Sequence, residues 1–216
     1  MTATGLDRRA ARLDALLDES IRLHEQVRRQ AIGSVVAAAD ALVAAFGRGH
    51  RALVFGNGGS AADAQHFAAE LVGRFERERR ALPVVALTTD TSVLTAVAND
   101  YTFARVFARQ IEALGTAGDV AVGISTSGGS ANVVAGLEIA RARGLTTIAL
   151  TGCDGGALRA LADIHVHVAH PSTARVQEVQ RTLLHGICAL VEDALVGGLA
   201  GDGQLKMENG KLKKET

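Results

Sequence analysis

The chain has no tryptophan, two prolines and two cysteines among its 216 residues. The cysteines, Cys153 and Cys188, show neither CxxC spacing nor a disulfide-dense pattern, which indicates a reduced, cytoplasmic protein with buried thiols. No run of about 18 apolar residues is present, and no basic start precedes an apolar core, so we expect neither a membrane span nor a secretion signal. The formal net charge is zero without a basic stripe, so nucleic-acid binding has little electrostatic support.

Lysine is missing from most of the chain. All four lysines lie in the last eleven residues, whereas the preceding part carries the nineteen arginines. With 48% apolar residues, the chain can bury a core of substantial size. We therefore expect one domain over residues 1–198 and a flexible, lysine-rich tail over residues 199–216.

The apolar residues that are present change their spacing after the first quarter of the chain. Residues 7–46 have a helical spacing, with Gly33 and Gly47 as the expected interruptions. This prefix either packs against another subunit or covers one face of a sheet. Five short apolar runs then alternate with helical segments, at 53–55, 82–88, 119–124, 145–150 and 164–168. The order predicts an α/β fold: a doubly wound, five-stranded parallel sheet in the flavodoxin-like order 2-1-3-4-5, flanked by helices and preceded by N-terminal helices.

Two glycine- and serine-rich loops follow the first and third predicted strands. The first is Gly-Asn-Gly-Gly-Ser at residues 56–60, where Ser60 is the expected N-cap of a helix. The second is Ser-Thr-Ser-Gly-Gly-Ser at residues 125–130. In the predicted strand order both loops line one crevice, and backbone N–H groups at helix starts bind anions. One such loop alone is more often a simple turn and cap, but two at neighbouring strand ends favour a phosphate site.

His66 and Glu70 lie four residues apart in the helix predicted after the first loop. This spacing places both side chains on one helical face. Such a pair is suited to hold a shared metal ion, although a surface pair without a metal is the commoner case.

These motifs together resemble those of the phosphoheptose isomerases, the family of SIS (sugar isomerase) domains that converts sedoheptulose 7-phosphate to D-glycero-D-manno-heptose 7-phosphate. The resemblance covers about residues 10–196. It also includes Ala-Asn-Asp-Tyr at residues 98–101 and Val-Gln-Glu at residues 176–178, followed by His185. It implies a homotetramer that acts on a small sugar phosphate, with sites built from more than one subunit and without nucleic acid or membrane as partners.

The resemblance also implies roles for individual residues, with Glu70 and His185 as the acid/base pair. The residues that contact the substrate would be Asn57, Gly58, Gly59, Glu70, Asn99, Asp100, Ser125, Thr126, Ser127, Ser130 and Gln177. One Zn²⁺ per subunit would be held by His66, Glu70, Gln177 and His185, in a catalytic, structural or inhibitory role. Eight helical residues span about 12 Å, so Gln177 and His185 reach one ion only if the helix starts irregularly or if subunits share the site.

Two positions depart from the family pattern. Ala174 stands where an aspartate is frequent, and Gln180 stands where a histidine is common. Neither change removes a predicted acid/base group. We therefore expect both to affect contacts with the substrate more than the type of reaction. Two other functions remain compatible with the fold: a non-catalytic protein that binds the DnaA replication initiator, and a sugar-phosphate sensor. The presence of both Glu70 and His185 favours the isomerase, because the DnaA-binding relative lacks both groups.

Overall fold

The fold is taken from a computed structural model that describes residues 3–198, 205–208 and 211–214. As far as α8, the elements follow one another along the chain as predicted, with two helices before the first strand. The helices are α1 (Ala3–Gln30), α2 (Ile32–Gly47), α3 (Gly59–Val72), α4 (Thr91–Asp100), α5 (Val106–Leu114), α6 (Ala131–Ala142), α7 (Leu158–Leu161) and α8 (Thr173–Gly198), and a 3₁₀ turn spans Phe103–Arg105. The strands are β1 (Ala52–Gly56), β2 (Val84–Ala86), β3 (Val120–Ser125), β4 (Thr146–Thr151), β5 (Ile164–His167), β6 (Leu205–Glu208) and β7 (Lys211–Lys214).

The first five strands form one parallel sheet in the order β2-β1-β3-β4-β5, which confirms the predicted topology. Every residue of β1 and β3 is buried, as expected for central strands that are covered on both faces. Gly56 at the end of β1 pairs with Ile124 near the end of β3. The loops after these two strands therefore leave the sheet side by side.

Alternate side chains of the strands enter two different cores. Val54 packs in the core that α2, α3 and α8 cover, whereas Leu53 and Phe55 pack in the core beneath α5 and α6. A smaller cluster joins Leu23 and Val27 of α1 to α8. The prefix thus covers part of the sheet through α2, while α1 packs against α8 and against Val168 after β5.

The N-terminal helices bend at Ala31 and not at Gly33, which corrects the predicted interruption. The axes of α1 and α2 differ by 68°. Ala31 is buried, and its carbonyl accepts a hydrogen bond from the Ser34 hydroxyl at 3.0 Å, so packing at Ala31 and this local bond mark the start of α2. Gly33 lies inside α2, and Gly47 ends it as predicted.

Two further expectations about local structure are wrong. Helix α3 begins at Gly59 with Gly58 as its N-cap, so Ser60 lies within the first turn and does not cap the helix. Cys188 is a buried thiol as expected, but Cys153 is exposed. Burial, followed by the negative charges of Glu70 and Glu192, raises the pKa of Cys188 to about 12.

The C-terminal segment is described in part. Strands β6 and β7 pair with each other in antiparallel fashion, and the remaining residues of 199–216 lie outside the described part of the chain. The flexible tail therefore stays a prediction. Among the described residues, no single helix is long and apolar enough to cross a membrane, although the bent pair of α1 and α2 passes that test of length and composition together.

Two helical glycines provide a test of the packing. A Cβ at Gly136 in α6 would lie 2.7 Å from the Phe55 ring, whereas a Cβ at Gly33 would meet nothing within 4 Å. We expect Gly136→Ala to lower the free energy of unfolding by about 1–3 kcal/mol because the core there is already filled. Gly33→Ala should raise it by up to about 1 kcal/mol, because alanine favours helix over glycine. Urea unfolding of both variants measures these changes, and equal effects would contradict the described packing.

Candidate active site

The loops after β1 and β3 meet at one edge of the sheet, as the sequence predicted. A Cβ at Gly56 would approach the Ile124 carbonyl oxygen to 2.8 Å, so only glycine allows the two strand ends to lie this close. Gly58 has a φ of 55°, a conformation that favours glycine, and it turns the chain into α3. Gly56 and Gly58 are therefore required for the turn between β1 and α3.

The second loop gathers three hydroxyl groups at the start of α6. The Ser125 Oγ lies 2.9 Å from the Ser130 Oγ and 3.3 Å from the Ser127 Oγ. Ser130 is the N-cap of α6, yet its side chain makes no capping hydrogen bond. The hydroxyls bond to one another in this structure, and together with the first N–H groups of the helix they form a site suited to an anion without a lysine. Thr126 lies in the same turn and is half-buried.

A pair of amides connects the two loops. Asn57 donates from Nδ2 to the Asn132 Oδ1 at 2.8 Å, and Asn132 donates back to the Asn57 Oδ1 at the same distance. Asn132 is buried, and the sequence reasoning did not single it out. Its position two residues after Ser130 was visible in the sequence, but its partner lies 75 residues away along the chain. The Asn57 side chain, predicted to contact the sugar, is thus engaged with α6.

Three of the predicted acid/base and metal residues converge between α3 and α8. The Nε2 atoms of His66 and His185 are 2.6 Å apart, and the His66 Nε2 lies 3.4 Å from a Glu70 carboxylate oxygen. All three side chains are half-buried. The i,i+4 spacing on α3 therefore faces a specific partner on α8 and is not an isolated surface pair.

The same three residues have the donor types and the spacing for a metal ion. One ligand atom from each lies within 4.8 Å of the other two. Two nitrogen ligands of a tetrahedral Zn²⁺ lie about 3.3 Å apart, so the imidazoles would separate by less than about 1 Å to accept the ion. His66, Glu70 and His185 therefore fit a zinc site, with a fourth position left for another ligand.

Gln177 lies near the start of α8 and does not join the cluster of His66, Glu70 and His185. A Cβ at Gly59 would lie 2.4 Å from its Nε2, so the amide rests against the start of α3. His66 is seven residues, or about 10 Å along the helix axis, beyond Gly59. In this chain the amide of Gln177 sits with the first loop, and ligation beside His66 would need it to swing or to come from a second copy.

The other predicted substrate residues are more dispersed. Asn99 and Asp100 are exposed at the end of α4, where the Asn99 amide donates to the Asp100 carboxylate at 2.8 Å. Among the described residues, no hydrogen bond joins this pair to the two loops. Of the two positions that depart from the family pattern, Ala174 is exposed, whereas Gln180 is buried with both amide atoms unpaired in the described part of the chain.

A groove of about 550 Å³ opens beside His185. It runs between α1 and α8 and is lined by Leu13, Leu16, Leu17, Ser20, His24, Arg175, Glu178, Arg181, Thr182 and His185. A slightly larger open groove, of about 630 Å³, lies by β2, α4 and α5 and contains none of the predicted site residues. Of the predicted site residues, His185 alone is among those that line the groove between α1 and α8, so this groove adjoins the cluster of His66, Glu70 and His185 without enclosing it.

Comparisons with known proteins agree on one family. Residues 16–152 match the family model of the SIS domain. The phosphoheptose isomerase of Geotalea uraniireducens is 54% identical over 185 residues, which cover 86% of this chain and 98% of the relative. The solved phosphoheptose isomerase of Neisseria gonorrhoeae has a TM-score of 0.81 at 46% identity, covering 85% of this chain and 98% of its own. The solved phosphoheptose isomerase of Francisella tularensis has a TM-score of 0.82 at 36% identity, and the match covers 89% of this chain and 100% of that structure's chain.

The serine loop provides a test of anion binding. We expect Ser130→Ala to weaken the binding of inorganic phosphate about ten- to a hundredfold, because each hydrogen bond to a charged group contributes roughly 1.5–3 kcal/mol. Isothermal titration calorimetry measures the affinity. Ser34→Ala is the matched control, since its hydroxyl bonds to the Ala31 carbonyl in α2. Equal phosphate affinity in both variants would assign the loop a structural role only.

Proposed function

Because the chain belongs to the phosphoheptose isomerase family of SIS-domain proteins, we propose that it interconverts sedoheptulose 7-phosphate and D-glycero-D-manno-heptose 7-phosphate. The chain is thus an isomerase that moves a carbonyl between the first two carbons of a sugar phosphate. The observation that carries the proposal is the meeting of Glu70 and His66 with His185 in a fold whose serine loop is suited to phosphate. The cytoplasmic location stays a prediction.

The serine loop would hold the phosphate, and the first loop would hold the sugar. Ser125, Ser127 and Ser130 offer hydroxyls, while the N-terminus of α6 offers N–H groups and the positive end of its dipole. In the first loop, Gly58 and Gly59 are exposed and offer backbone groups to the sugar, whereas the Asn57 side chain is occupied by Asn132. The phosphate would thus be bound apart from the reacting carbons, so binding and proton transfer use separate groups.

Isomerisation requires a proton to leave one carbon, a proton to reach the next, and proton exchange between the two oxygens through an enediol. We assign Glu70 to the carbon-bound proton and His185 to the oxygens. A carboxylate and an imidazole are the usual groups for such transfers, and each commonly contributes about 10²–10⁴ in rate. The two groups come from separate helices, and their ligand atoms lie within 4.8 Å of each other.

We further propose that His66, Glu70 and His185 hold Zn²⁺, and that Gln177, the fourth ligand by family resemblance, reaches the ion by swinging away from Gly59 or from a second copy of the chain. When bound, the ion would polarise the sugar carbonyl and stabilise the negative oxygen of the enediolate. A carboxylate does not ligate an ion and act as a base at the same instant, so Glu70 has one of these roles at a time. His66 has no assigned proton-transfer role, which makes it a useful reference position.

The non-catalytic alternatives have less support. Binding of the DnaA initiator or simple sensing of a sugar phosphate requires the crevice but not the cluster between α3 and α8. A sensor would bind the sugar phosphate without turnover. The convergence of Glu70 and His185 with His66 therefore favours catalysis over either alternative.

The proposed assembly is a homotetramer in which a second copy covers the groove at His185. Leu13, Leu17 and Ile21 of α1 are 59%, 56% and 58% exposed, and their spacing of four residues places them on one helical face. Two of them line that groove together with His185. An exposed apolar stripe of this kind is typical of an interface between subunits.

The central prediction concerns proton transfer. We expect Glu70→Gln and His185→Gln each to lower kcat at least about a hundredfold while sedoheptulose 7-phosphate still binds, because each variant keeps the approximate size but loses a group that exchanges protons near neutral pH. NMR in deuterated solvent measures turnover and deuterium uptake at the substrate carbons. A near-native rate in either variant would contradict the role assigned to that residue, and an inactive wild type would contradict the proposed function.

His66→Gln is the matched control for this experiment, since it removes a zinc ligand without removing a proposed acid or base. Zinc content and oligomer mass are measured for all three variants. If kcat falls in proportion to zinc content or assembly in each of them, Glu70 and His185 have structural roles.

The assembly has its own test. We expect Leu17→Glu to dissociate the homotetramer and to reduce turnover, because it places a charge in the centre of the apolar stripe. Leu114→Glu, on α5 and away from the groove at His185, is the control and should leave the mass unchanged. Sedimentation velocity measures the mass, and an active wild-type monomer at assay concentration would contradict the proposed assembly.

A further inference from the structure

A buried carboxylate on α8 holds the loop that follows α3. Glu192 lies seven residues, or two helical turns, after His185, and its side chain is only 2% exposed. It accepts hydrogen bonds from the backbone N–H groups of Phe75 at 2.8 Å, Glu76 at 2.9 Å and Arg77 at 2.9 Å. Three successive N–H groups of one loop therefore depend on one side chain of the helix that carries His185.

The same carboxylate pairs with a buried arginine. The Arg79 Nε lies 3.2 Å from Glu192, and the Arg79 side chain is 1% exposed. Burial by itself raises the pKa of Glu192, but the backbone N–H groups of Glu76, Phe75 and Arg77 and the charge of Arg79 outweigh burial and leave the pKa below its ordinary value. The interactions of Glu192 thus favour its charged carboxylate form.

Arg79 in turn holds the last carbonyl groups of α3. Its guanidinium donates to the carbonyl oxygens of Leu71 at 2.8 Å and Gly73 at 2.9 Å, and to that of Glu70 at 2.8 Å. These are groups that the end of a helix leaves without partners, and a cation there also opposes the negative end of the helix dipole. The backbone of Glu70 itself is therefore bound by the arginine that Glu192 pairs with.

The loop also contacts the other member of the acid/base pair. The Phe75 ring lies 5.5 Å from the His185 ring, with an angle of 35° between the planes. The Phe75 N–H is one of the three that Glu192 binds. One buried network thus contacts His185 through Phe75 and Glu70 through Arg79.

We propose that Arg79 and Glu192 are positioning residues for the isomerisation. They hold the end of α3, with Glu70, at a defined distance from the turn of α8 that carries His185. The inference rests on the proposed function for its kinetic part. A buried ion pair contributes little net stability compared with an apolar pair of similar volume, whereas loss of one partner leaves an uncompensated buried charge. The pair is therefore better explained by the geometry it imposes than by the stability it adds.

The kinetic test uses Glu192→Gln, Arg79→Lys and the double variant. Each single variant should lower kcat about ten- to a hundredfold, because a misplacement of about 1 Å costs up to about a hundredfold in rate. KM for sedoheptulose 7-phosphate and the affinity for inorganic phosphate should stay within about threefold, since the serine loop lies on another part of the fold. The double variant should lose little more than the worse single variant, because the two residues act as one unit.

Val191→Ala is the matched control, because it removes a buried apolar group next to Glu192 in the sequence that makes none of the network's hydrogen bonds. It should lower the melting temperature and leave kcat near that of the wild type. If kcat in Glu192→Gln and Arg79→Lys falls no further than in Val191→Ala at equal loss of stability, or if KM rises in parallel with the loss of kcat, the proposal is wrong.

A crystal structure of Arg79→Lys gives a readout that does not depend on turnover. Lysine keeps the charge but cannot bond to several carbonyls in the planar arrangement of a guanidinium. We expect the end of α3 to shift by about 1 Å and the separation of Glu70 from His185 to change. Unchanged positions of these two side chains would overturn the proposal even if the wild type showed no turnover of sedoheptulose 7-phosphate, a result that would separately contradict the proposed function.

Discussion

The parallel pairing of β1 with β3 is the constraint on which the rest of the structure depends. It places Gly56 opposite Ile124, so that two loops far apart in sequence leave the sheet at the same height. The close approach of the strand ends excludes a side chain at Gly56, and the Asn57–Asn132 amide pair joins the loops beyond it. The phosphate crevice follows from this register, because a parallel sheet brings the ends of all its strands to one edge.

The acid/base cluster depends on a second contact, between α3 and α8. Arg181 of α8 pairs with the buried Asp63 of α3 at 2.5 Å, one turn before His66. The Arg79–Glu192 pair acts near the other end of α3, beyond Glu70. His66, Glu70 and His185 therefore lie between two ion pairs that set the relative position of the helices. This arrangement explains how two half-exposed histidines are kept 2.6 Å apart.

The predictions from sequence succeeded where local pattern and chain order carry the information. The alternation of apolar runs with helical segments predicted the strand order, since short connections and right-handed crossovers leave few topologies. The predictions failed where tertiary packing determines the local structure. The bend falls at the buried Ala31 although Gly33 looked like the breaker, and the helix after β1 starts before Ser60 although serine is the better cap. Cys153 is exposed because it lies in the turn after β4, outside the helices and strands of the core.

By itself, the sequence determined the class of fold, the two loops, and the residue types able to bind phosphate and move protons. Those features can be predicted from the periodicity of apolar residues, from the positions of glycines and from the i,i+4 spacing of His66 and Glu70. Each of these patterns involves residues close together in the sequence. The family resemblance alone suggested that His185 meets His66, which the tertiary structure brings about, and the tertiary structure alone decided that Gln177 rests against Gly59 and that Asn132 and Glu192 have partners across the fold. These contacts join residues about 75 to 120 positions apart, and which of them form depends on how whole helices pack against the sheet.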